Sequence, residues 1–577
     1  MIRRLLIANR GEIALRVIRA CQELGVESVA VYSDIDAGAP HVKAADRAVA
    51  IGRAPARESY LCIQHIVDAA KTAGADAVHP GYGFLSENSQ FADACVKAGL
   101  VFVGPPADVI ARMGSKIEAR RIAVSAGVPV VPGEVPDDQS DAGIKAAVDR
   151  VGLPTLIKAS AGGGGKGMRT VRSPEAVIES IQAARREAVA AFGDGTLYVE
   201  RLIDRPHHVE VQVFADGHGH TIHLFERECS VQRRHQKVVE ESPSPVLNAE
   251  LRARMTSAAV AVARASGYQN AGTVEFLVDV THGPNAPFYF LEMNTRLQVE
   301  HPVTELVTGL DLVRAQLLVA SGEPLPWSEA ALAQRGHAIE VRVYAEDPAQ
   351  TFIPQAGTLV EYREPRRPGV RVDSGVTEGS TISVHYDPMI AKIIAHAESR
   401  PLAINRLAAA LRATTIRGVR TNLPFLLSIL ELDAFRRGDV DTGFLDREGA
   451  ALAASVADVV IEGDRSTAGT AIDGSRQSFD PWNGVAAKAA VTTTSETAQR
   501  RRTASTGPQT ITAPMPATVL EVRVKPGSAV KKGDVVVLLE AMKMELPLRA
   551  PADATVKTVR CKQGDLVTAD AALVELQ

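Results

Sequence analysis

The sequence predicts an α/β protein that ends in a small all-β domain. Over residues 1–115, short apolar strand-like runs alternate with helix-like segments, which is typical of an open parallel sheet covered by helices. Near the other end, residues 513–540 and 550–577 match without a gap at 12 positions, at a constant offset of 37 residues. Each copy has Val-rich runs with period-two alternation between turn residues, so the pair predicts a flattened β-sandwich with internal two-fold symmetry.

Composition places the chain among ordinary globular proteins. Its 577 residues suggest about four domains, and 46% of them are hydrophobic while 23% are charged. A net charge of −4 argues against a nucleic-acid-binding protein. No apolar stretch approaches the roughly 18 residues of a membrane span, and the basic start reads as a first strand rather than a signal peptide.

The five cysteines are scattered and never stand in C-x-x-C spacing. The sequence therefore indicates neither a disulfide framework nor a zinc site, and it fits a reducing compartment. We expect a cytoplasmic protein with no membrane partner and no nucleic-acid partner.

The first 115 residues contain strand-like runs in "RLLIAN", "ESVAVYS", "DAVHPG" and "LVFVGPP", with helices expected over 13–24 and 60–73. In an open parallel sheet, ligands bind at the carboxyl ends of the strands. No G-x-G-x-x-G follows the first strand, so a dinucleotide is not the expected ligand.

The most informative segment of the middle region is "LIKASAGGGGKGMRTV" (156–171). Four successive glycines are costly in a helix or strand, but their N–H groups suit a mobile flap that closes over phosphates with the help of Lys166. The segment is not a Walker P-loop, because Ser160 and Gly167 stand where that motif needs Gly and Ser or Thr. A flexible linker is the alternative; the flanking strand-like runs and Lys158 favour the flap.

Two further runs, "GTVEFLVD" and "FYFLEMNTRLQVEH", are interpreted as strands. Glu292 and Asn294 stand two apart, so their oxygens share one face, where with Glu275 they can hold Mg²⁺ beside nucleotide phosphates. Solvent-facing strand residues are the alternative, and the bulky apolar neighbours count against it.

In the same strand, Arg296, Gln298 and Glu300 alternate and are expected on one face. A guanidinium, an amide and a carboxylate suit a small planar anion, which Arg binds and Glu deprotonates. The run "CSVQRRHQK" adds polar groups at Gln232, His235 and Lys237. For both runs, the alternative is simply the solvated face of a strand.

Residues 331–446 mix short strands and helices and read as a closing subdomain, whereas 447–510 behave as a linker, most clearly in the Ala/Thr/Ser-rich 486–510. In the repeat, "EAMKME" places Lys543 between two methionines, in the connector that joins the two copies. Such a connector becomes a hairpin tip that presents the lysine outward, with adaptable methionines that suit recognition by a modifying enzyme.

Ala-Met-Lys-Met between the two β-copies resembles the motif of biotinyl domains, which implies that Lys543 carries biotin through an amide. Lipoyl domains share that fold but usually lack the two methionines, so lipoate is the weaker alternative. Residues 1–446 resemble the biotin carboxylase subunit, an ATP-grasp enzyme. Together the two parts resemble the α chains of bacterial acyl-CoA carboxylases of the actinobacterial acetyl-/propionyl-CoA type.

The resemblance implies a fold for each part of the chain. The expected order is a pre-ATP-grasp open parallel sheet (1–115), an ATP-grasp domain (116–330) with a glycine-rich lid subdomain (about 131–203), an α+β C-terminal domain (331–446), a linker (447–510), and an all-β biotinyl carrier domain (511–577).

The resemblance also assigns roles to individual residues. Glu300 is implied as the catalytic base, with Arg296, Arg342 and Lys237 as the other catalytic residues. The full implied sets are Lys116, Lys158, Gly163, Gly164, Gly165, Lys166, Gly167, Glu200, His208, Gln232 and His235 for ATP; Glu275, Glu292 and Asn294 for Mg²⁺ or Mn²⁺; Lys237, Arg296, Gln298, Val299 through its backbone, and Glu300 for bicarbonate; and Tyr82 and Arg342 for the biotin ring.

The implied activity is ATP-dependent carboxylation of the chain's own biotin by bicarbonate, through carboxyphosphate. The implied partners are a biotin protein ligase and a separate carboxyltransferase β subunit that acts on an acyl-CoA, within a hetero-oligomer. The alternatives are the same half-reaction for pyruvate or another acceptor, a non-catalytic carrier scaffold, and a different ATP-grasp ligase fused to a lipoyl-like domain. The segment 447–510 is shorter than the docking domain that many family members place there, so the sequence assigns no docking surface for the β subunit. The sequence also does not specify the acyl chain.

Overall fold

The computed structural model describes residues 1–160, 168–456, 509–515, 517–541, 544–568 and 570–577. The chain divides into two units, Met1–Asp458 and Val459–Gln577, and each is described by itself. None of the helices in the described ranges is both long enough and apolar enough to cross a bilayer.

The N-terminal part is built on a five-stranded sheet in the order β3-β2-β1-β4-β5, with every neighbouring pair parallel. The predicted open parallel sheet is confirmed. Sequence analysis missed the third strand, an edge strand that is largely exposed and whose apolar run, residues 48–51, is short. The elements are β1 (Arg4–Ile7), α1 (Gly11–Leu24), β2 (Glu27–Ser33), α2 (Pro40–Ala44), β3 (Arg47–Gly52), α3 (Ile63–Ala73), β4 (Ala77–His79), α4 (Ser89–Lys97), β5 (Val101–Phe102) and α5 (Ala107–Gly114).

The next part carries a separate four-stranded sheet, in the order β6-β9-β7-β8, which packs on two helices through an apolar core. The glycine loop 161–167 lies outside the described residues; the strands before and after it pair antiparallel. The elements are α6 (Lys116–Ser125), β6 (Gly133–Glu134), α7 (Asp141–Val151), β7 (Thr155–Ala159), β8 (Arg169–Val171), α8 (Val177–Phe192) and β9 (Leu197–Arg201).

The longest strands follow. Their elements are β10 (His207–Ala215), β11 (Thr221–Arg233), β12 (Gln236–Ser242), α9 (Ala249–Ser266), β13 (Asn270–Val278), β14 (Phe288–Asn294), α10 (His301–Thr308), α11 (Leu312–Ala320) and β15 (His337–Tyr344). The remaining elements of this unit are β16 (Glu346–Asp347), β17 (Ile353–Pro354), β18 (Gly357–Thr358), β19 (Glu361–Arg363), β20 (Val370–Ser374), β21 (Thr381–Ile382), β22 (Met389–Ala397), α12 (Arg400–Ala413), β23 (Thr415–Arg417), α13 (Leu423–Glu431), α14 (Asp433–Arg437) and α15 (Phe444–Val456).

One eight-stranded antiparallel sheet, in the order β14-β13-β10-β11-β12-β15-β22-β20, joins the central and C-terminal parts. It crosses the predicted boundary at 330/331 through the pairing of β12 with β15, in which Glu240 stands opposite Glu340. The functional residues described below lie on or beside this sheet. Helix α15 extends to Val456, so residues 447–456 of the segment predicted as linker are helical, with Leu452 and Ala453 buried.

The strand that carries Glu292 ends earlier than the sequence predicts. Strand β14 stops at Asn294, and residues 295–300 form an irregular segment that leads into α10. Pro302 in the first turn of α10 is compatible with a helix start but not with a continuing strand. The prediction that Arg296, Gln298 and Glu300 alternate along a strand is therefore wrong.

The second unit contains two four-stranded sheets, in the orders β24-β31-β29-β26 and β28-β27-β25-β30. An offset of 37 residues maps each strand of one sheet onto the strand at the same position in the other, so the predicted two-fold sandwich is confirmed. Counted with β24 and β28, which the same offset relates, each copy supplies four strands, and each sheet takes two strands from each copy. The elements are β24 (Gln509–Thr512), β25 (Ala517–Val522), β26 (Ala529–Val530), β27 (Val535–Ala541), β28 (Met544–Arg549), β29 (Ala554–Val559), β30 (Leu566–Val567) and β31 (Ala572–Leu576).

The predicted connector between the two copies is mostly strand β28, which pairs antiparallel with β27 and sets Ala541 opposite Met544. Met542 and Lys543 stand between these register partners in the chain. Both lie outside the described residues, so the prediction that Lys543 is presented at a hairpin tip concerns a residue that the structure does not describe.

Candidate active site

Lys237 is the centre of a cluster of charges on the large sheet. Its ammonium donates to Glu210 Oε2 at 2.6 Å, Glu275 Oε1 at 2.9 Å and Glu300 Oε1 at 2.7 Å. Burial alone would lower the pKa of Lys237, but the three carboxylates around it raise that pKa well above its usual range. Lys237 is therefore a fixed cation that offsets the negative charge of the three carboxylates around it.

Glu300 is fully buried just before α10, where it is held from both sides. Besides the bond from Lys237, Oε2 accepts a hydrogen bond from Arg342 Nη2 at 3.1 Å. Burial would raise the pKa of Glu300, yet the charges of Lys237, Arg342 and Arg227 lower it well below the ordinary value. Glu300 is thus an ionised carboxylate, and Arg342 is anchored in turn by Glu240, which accepts from its Nε at 2.6 Å.

Beneath this cluster lies a fully buried arginine that sequence reasoning missed. Arg227 donates from Nε to Glu210 Oε1 at 2.5 Å and from Nη1 to Gln212 Oε1 and Thr304 Oγ1, both at 2.9 Å. Glu210 therefore joins Arg227 to Lys237. The sequence signal was present as polar residues in the long strands β10 and β11, but alternation alone could not show that their polar sides face a closed core.

Arg296 and Gln298 meet although they are not on a strand. Arg296 Nη1 donates to Gln298 Oε1 at 2.7 Å, and its Nε donates to Glu87 Oε2 at 3.0 Å. Gln298 is buried and its Nε2 has no hydrogen-bond partner in the described part of the chain. An amide donor without a partner beside a guanidinium suits an incoming anion. Glu87, which also accepts from the N–H of Thr295, was not predicted.

Three predicted metal ligands gather where the end of β14 pairs with the middle of β13. Glu275 and Glu292 are register partners, so their side chains share one face of the sheet. Asn294 Nδ2 donates to Glu275 Oε1 at 2.8 Å, and His208 Nε2 lies 3.0 Å from Glu275 Oε2. Burial, followed by the charge of Glu275, raises the pKa of Glu292, because two neighbouring carboxylates resist ionising together. A divalent cation would relieve that repulsion, so these residues fit one.

The predicted nucleotide lysines lie near one carboxylate. Lys158 Nζ donates to Glu200 Oε2 at 2.5 Å, and Arg120 Nη1 donates to Glu200 Oε1 at 3.1 Å. Burial and the nearby charge of Lys158 lower the pKa of Lys116, which stands at the start of α6, while Glu292 opposes that shift. Of the residues predicted for ATP, Gly163, Gly164, Gly165, Lys166 and Gly167 lie outside the described residues.

Gln232 and Lys237 are register partners on the β11–β12 hairpin. The two residues of its turn, Arg234 and His235, have φ of 49° and 65°, the left-handed conformation that two-residue hairpins favour. Arg233 fixes the base of the turn through two hydrogen bonds to Glu346, at 2.8 and 2.7 Å. Burial and the cations Lys158, His208 and Lys116 lower the pKa of His235.

Tyr82 lies at the edge of the N-terminal sheet, where its hydroxyl donates to Glu12 Oε1. The same carboxylate oxygen lies 3.3 Å from the ammonium of Lys392, a residue that sequence reasoning did not single out. Lys392 also donates to the backbone oxygen of Val299 at 2.6 Å. An anion needs a hydrogen-bond donor, so the N–H of Val299, rather than its carbonyl, is the backbone group that suits one.

The described site therefore brings the residues predicted for catalysis and bicarbonate next to residues predicted for the metal. Lys237, Glu300 and Arg342 are in direct contact, and Glu275 links Lys237 to Asn294 and His208. Arg296 contacts Gln298 and lies 3.3 Å from Asn294 Oδ1. This arrangement sets cationic groups that suit a small anion next to oxygen ligands that suit a divalent cation.

Models of known protein families match four stretches of the chain. Residues 1–110 match the biotin carboxylase N-terminal domain, and 115–328 match the ATP-binding domain of the carbamoyl-phosphate synthase L chain. Residues 340–447 match the biotin carboxylase C-terminal domain, and 509–576 match a family described as biotin-requiring enzyme.

Similar proteins cover the larger part of the chain. Biotin carboxylase 2 of Bacillus subtilis is 53% identical over 448 residues, which are 77% of this chain and 99% of that protein. The mitochondrial methylcrotonoyl-CoA carboxylase subunit alpha of Oryza sativa subsp. japonica is 52% identical over 447 residues, again 77% of this chain but 60% of that protein.

A solved structure is also similar to the larger part of this chain. The biotin carboxylase domain of Hydrogenobacter thermophilus 2-oxoglutarate carboxylase, in complex with MgADP, ADP and bicarbonate, superposes with a TM-score of 0.75 at 43% identity. The alignment covers 78% of this chain and 99% of that one.

Proposed function

The chain belongs to the biotin carboxylase family, and from that premise we propose that it carboxylates biotin borne by its own C-terminal domain. ATP and bicarbonate are the substrates of this step, and a separate carboxyltransferase subunit receives the carboxyl group for transfer to an acyl-CoA. The observation that carries the proposal is the contact of Lys237, Glu300 and Arg342 in one buried cluster, in a chain that also matches a biotin-requiring family.

The cofactors are ATP, Mg²⁺ (or Mn²⁺) and biotin. Glu275, Glu292 and Asn294 would hold the metal, which would neutralise phosphate charge during phosphoryl transfer. Lys116, Lys158, Glu200, His208, Gln232, His235 and the glycine loop with Lys166 would bind ATP. Biotin on Lys543 would supply the ureido nitrogen that accepts the carboxyl group.

Glu300 would act as the base that takes the proton of bicarbonate. Its low pKa keeps it ionised before the substrate arrives. An anion about 4 Å away raises the free energy of the charged carboxylate by about 4 kcal/mol at an effective dielectric near 20, which corresponds to about three pKa units. The arrival of bicarbonate would therefore convert a weak base into one better matched to proton transfer.

The cations would lower the barrier by offsetting repulsion between two anions, bicarbonate and the ATP γ-phosphate. Arg296 with Gln298 and the N–H of Val299 would bind bicarbonate on one side, and Lys237 on the other. Arg342, already hydrogen-bonded to Glu300, would stabilise the negative oxygen that develops on the ureido ring near Tyr82.

For the final acceptor we propose an acyl-CoA, of the acetyl, propionyl or longer class, in a complex with a β subunit. The similarity to a methylcrotonoyl-CoA carboxylase subunit alpha supports an acyl-CoA. The likeness to 2-oxoglutarate carboxylase favours a 2-oxo acid such as pyruvate as the second candidate. The assembled ion cluster argues against a non-catalytic scaffold, since a carrier alone has no need of buried charges at an anion site.

The test is bicarbonate-dependent ATP hydrolysis with free biotin. We expect Glu300→Gln and Arg342→Ala to lower its rate by about 10²- to 10⁴-fold, because each removes a group that acts on the reacting atoms. Circular dichroism checks that both variants fold, and Glu329→Gln, on an exposed carboxylate, is the matched control. Wild-type turnover by either variant would contradict the assigned roles.

The acceptor is identified separately. Protein captured through its biotin would be analysed for a co-purifying subunit, and the complex would then be assayed against acyl-CoA thioesters and 2-oxo acids. Activity with 2-oxo acids alone would replace the acyl-CoA assignment while leaving the biotin carboxylase half-reaction in place.

A further inference from the structure

Lys392 is a fully buried lysine with no role in the mechanism above. It lies in the middle of β22, and its ammonium donates to the carbonyl oxygen of Val299 at 2.6 Å. The same ammonium lies 3.3 Å from Glu12 Oε1 and 3.8 Å from Asp373 Oδ2. Burial would lower the pKa of Lys392, but the surrounding carboxylates raise it, so the residue is a permanent cation.

The neighbours of Lys392 on the sheet explain why its bond to Val299 matters. Lys392 on β22 stands directly opposite Arg342 on β15, so the two side chains share one face. Arg342 holds the side chain of Glu300, and Lys392 holds the main chain of the preceding residue. Two adjacent cations therefore bind two consecutive residues, Val299 and Glu300, of the irregular segment 295–300.

Lys392 also connects this segment to the N-terminal sheet. Glu12 Oε1 accepts a hydrogen bond from the hydroxyl of Tyr82 and lies within ion-pair distance of Lys392. One ammonium therefore touches groups from three parts of the chain: Glu12 on α1, Val299 before α10, and Asp373 on β20. A shift of the ammonium would move the backbone of Val299 relative to both Glu12 and Arg342.

A cation is costly in such a place. A buried ammonium must recover its lost hydration from its partners, and a methionine of similar length would pack on the same surface without that cost. Asp373 already has a partner of its own, since it accepts two hydrogen bonds from Arg371 at 2.9 and 2.7 Å. Neutralising Asp373 is therefore an incomplete reason for Lys392, whereas the carbonyl of Val299 requires a donor at that point.

We propose that Lys392 is a positioning residue for bicarbonate: its bond to Val299 sets the N–H of Val299 and the carboxylate of Glu300 at the anion site. The inference rests on the proposed function of that site. Lys392, on strand β22 of the large sheet, would thereby control the affinity for bicarbonate without contacting the bicarbonate itself.

The test is the Michaelis constant for bicarbonate in the ATP hydrolysis assay with free biotin. We expect Lys392→Met to raise KM for bicarbonate at least about tenfold, the effect of losing a hydrogen bond from a charged group. KM for ATP should stay within about twofold of the wild-type value, because none of the proposed ATP residues within the described ranges has a hydrogen bond or ion pair to Lys392. A purely structural role would instead lower kcat through a smaller folded fraction, at unchanged KM for bicarbonate.

A second variant separates positioning from charge balance. Glu340 is fully buried near Lys392, and neither of its oxygens has a hydrogen-bond partner in the described residues, so Glu340→Gln removes an ionisable carboxyl group and breaks no hydrogen bond seen there. We expect Lys392→Met/Glu340→Gln to fold more stably than Lys392→Met and still to show the raised KM. Glu340→Gln alone should keep the wild-type KM.

Arg400→Met is the control for loss of a cation that is paired and half-buried. Arg400 donates to Glu241 Oε2 at 2.6 Å and has no contact with residues 295–300 among its hydrogen bonds in the described structure. It should lose thermal stability without a change in KM for bicarbonate. A double variant with wild-type KM, in an active enzyme, overturns the inference alone. A wild-type chain without bicarbonate-dependent ATP hydrolysis overturns the proposed function as well.

Discussion

Two histidines of the N-terminal part are buried in the neutral form. His79 Nδ1 accepts from the N–H of Gly81 at 3.0 Å, and its Nε2 lies 3.1 Å from Gln316 Oε1, so the proton belongs on Nε2. Burial lowers the pKa of His79 to about 4, and burial lowers that of His41 to about 4 as well. Between pH 6.5 and 4, these two histidines bind protons in the unfolded chain but stay neutral in the folded chain. The free energy of unfolding therefore falls as the pH is lowered through that window.

His79→Gln should reduce this sensitivity to acid. Glutamine keeps a donor toward Gln316 and does not titrate, so the variant lacks one proton-linked loss of about 3 kcal/mol. We expect the gap in free energy of unfolding between wild type and variant to shrink by about that amount from pH 7 to pH 4, measured by urea denaturation. A gap that stays constant across this range would contradict the prediction.

At the scale of single residues, sequence patterns identified groups that stand in short, distinctive runs. Glu300, Arg296 and Lys237 could be predicted in this way. Arg227 and Glu210 could not, because their importance comes from strands β10 and β11 lying side by side with both polar faces buried. Lys392 was missed for a similar reason, since "MIAKIIAH" reads as an apolar strand with one incidental lysine.

At the scale of elements, the loop after β20 meets the first turn of α1 at Gly375. A Cβ on Gly375 would lie 2.5 Å from the backbone nitrogen of Glu12 and 2.7 Å from Cα of Gly11. Backbone atoms cannot rotate away as a side chain can, so this approach is open only to glycine. The contact fixes the helix end that carries Glu12.

Gly375→Ala should lower the free energy of unfolding by on the order of 1–3 kcal/mol, the cost of forcing an extra methyl into a packed contact. Thermal denaturation measures the effect. Gly38→Ala is the matched control, because a Cβ there would meet nothing within 4 Å. Equal stability of the two variants would show that α1 can move away freely.

Element boundaries were the least predictable features, and the reasons are local. Strand β14 was extended too far because alternation continues past Asn294, whereas Pro302 starts a helix that the pattern alone does not reveal. Strand β3 was missed because its apolar run, residues 48–51, is short and half of it is Ala, a residue depleted in strands. Helix α15 enters the segment assigned to the linker, since Ala-rich composition suits helix and linker alike.

For the whole molecule, the two units are expected to perform separable tasks. Lys543→Arg should abolish biotin incorporation, seen by streptavidin blotting and intact mass, together with acyl-CoA carboxylation by the complex. Bicarbonate-dependent ATP hydrolysis with free biotin should remain within about twofold of wild type, because every residue proposed for that step, Lys392 included, belongs to the first unit. Loss of both activities would contradict the separation, as would carboxylation of acyl-CoA without biotin at residue 543.

The overall architecture could be predicted largely because strong periodic patterns and an internal repeat determine it. The 37-residue offset predicted the two-fold sandwich, and the topology of its two sheets confirms it. The continuous eight-stranded sheet could not be foreseen, since the pairing of β12 with β15 joins residues about a hundred positions apart, with no signal in either strand.

The exchange of strands between the two sheets of the C-terminal unit makes each copy depend on the other. Because each layer takes two of its four strands from each copy, a solitary copy would leave both layers two strands short. A separate peptide of one copy would therefore need a second copy to complete either layer. Joining the two copies in one chain completes both layers within a single polypeptide.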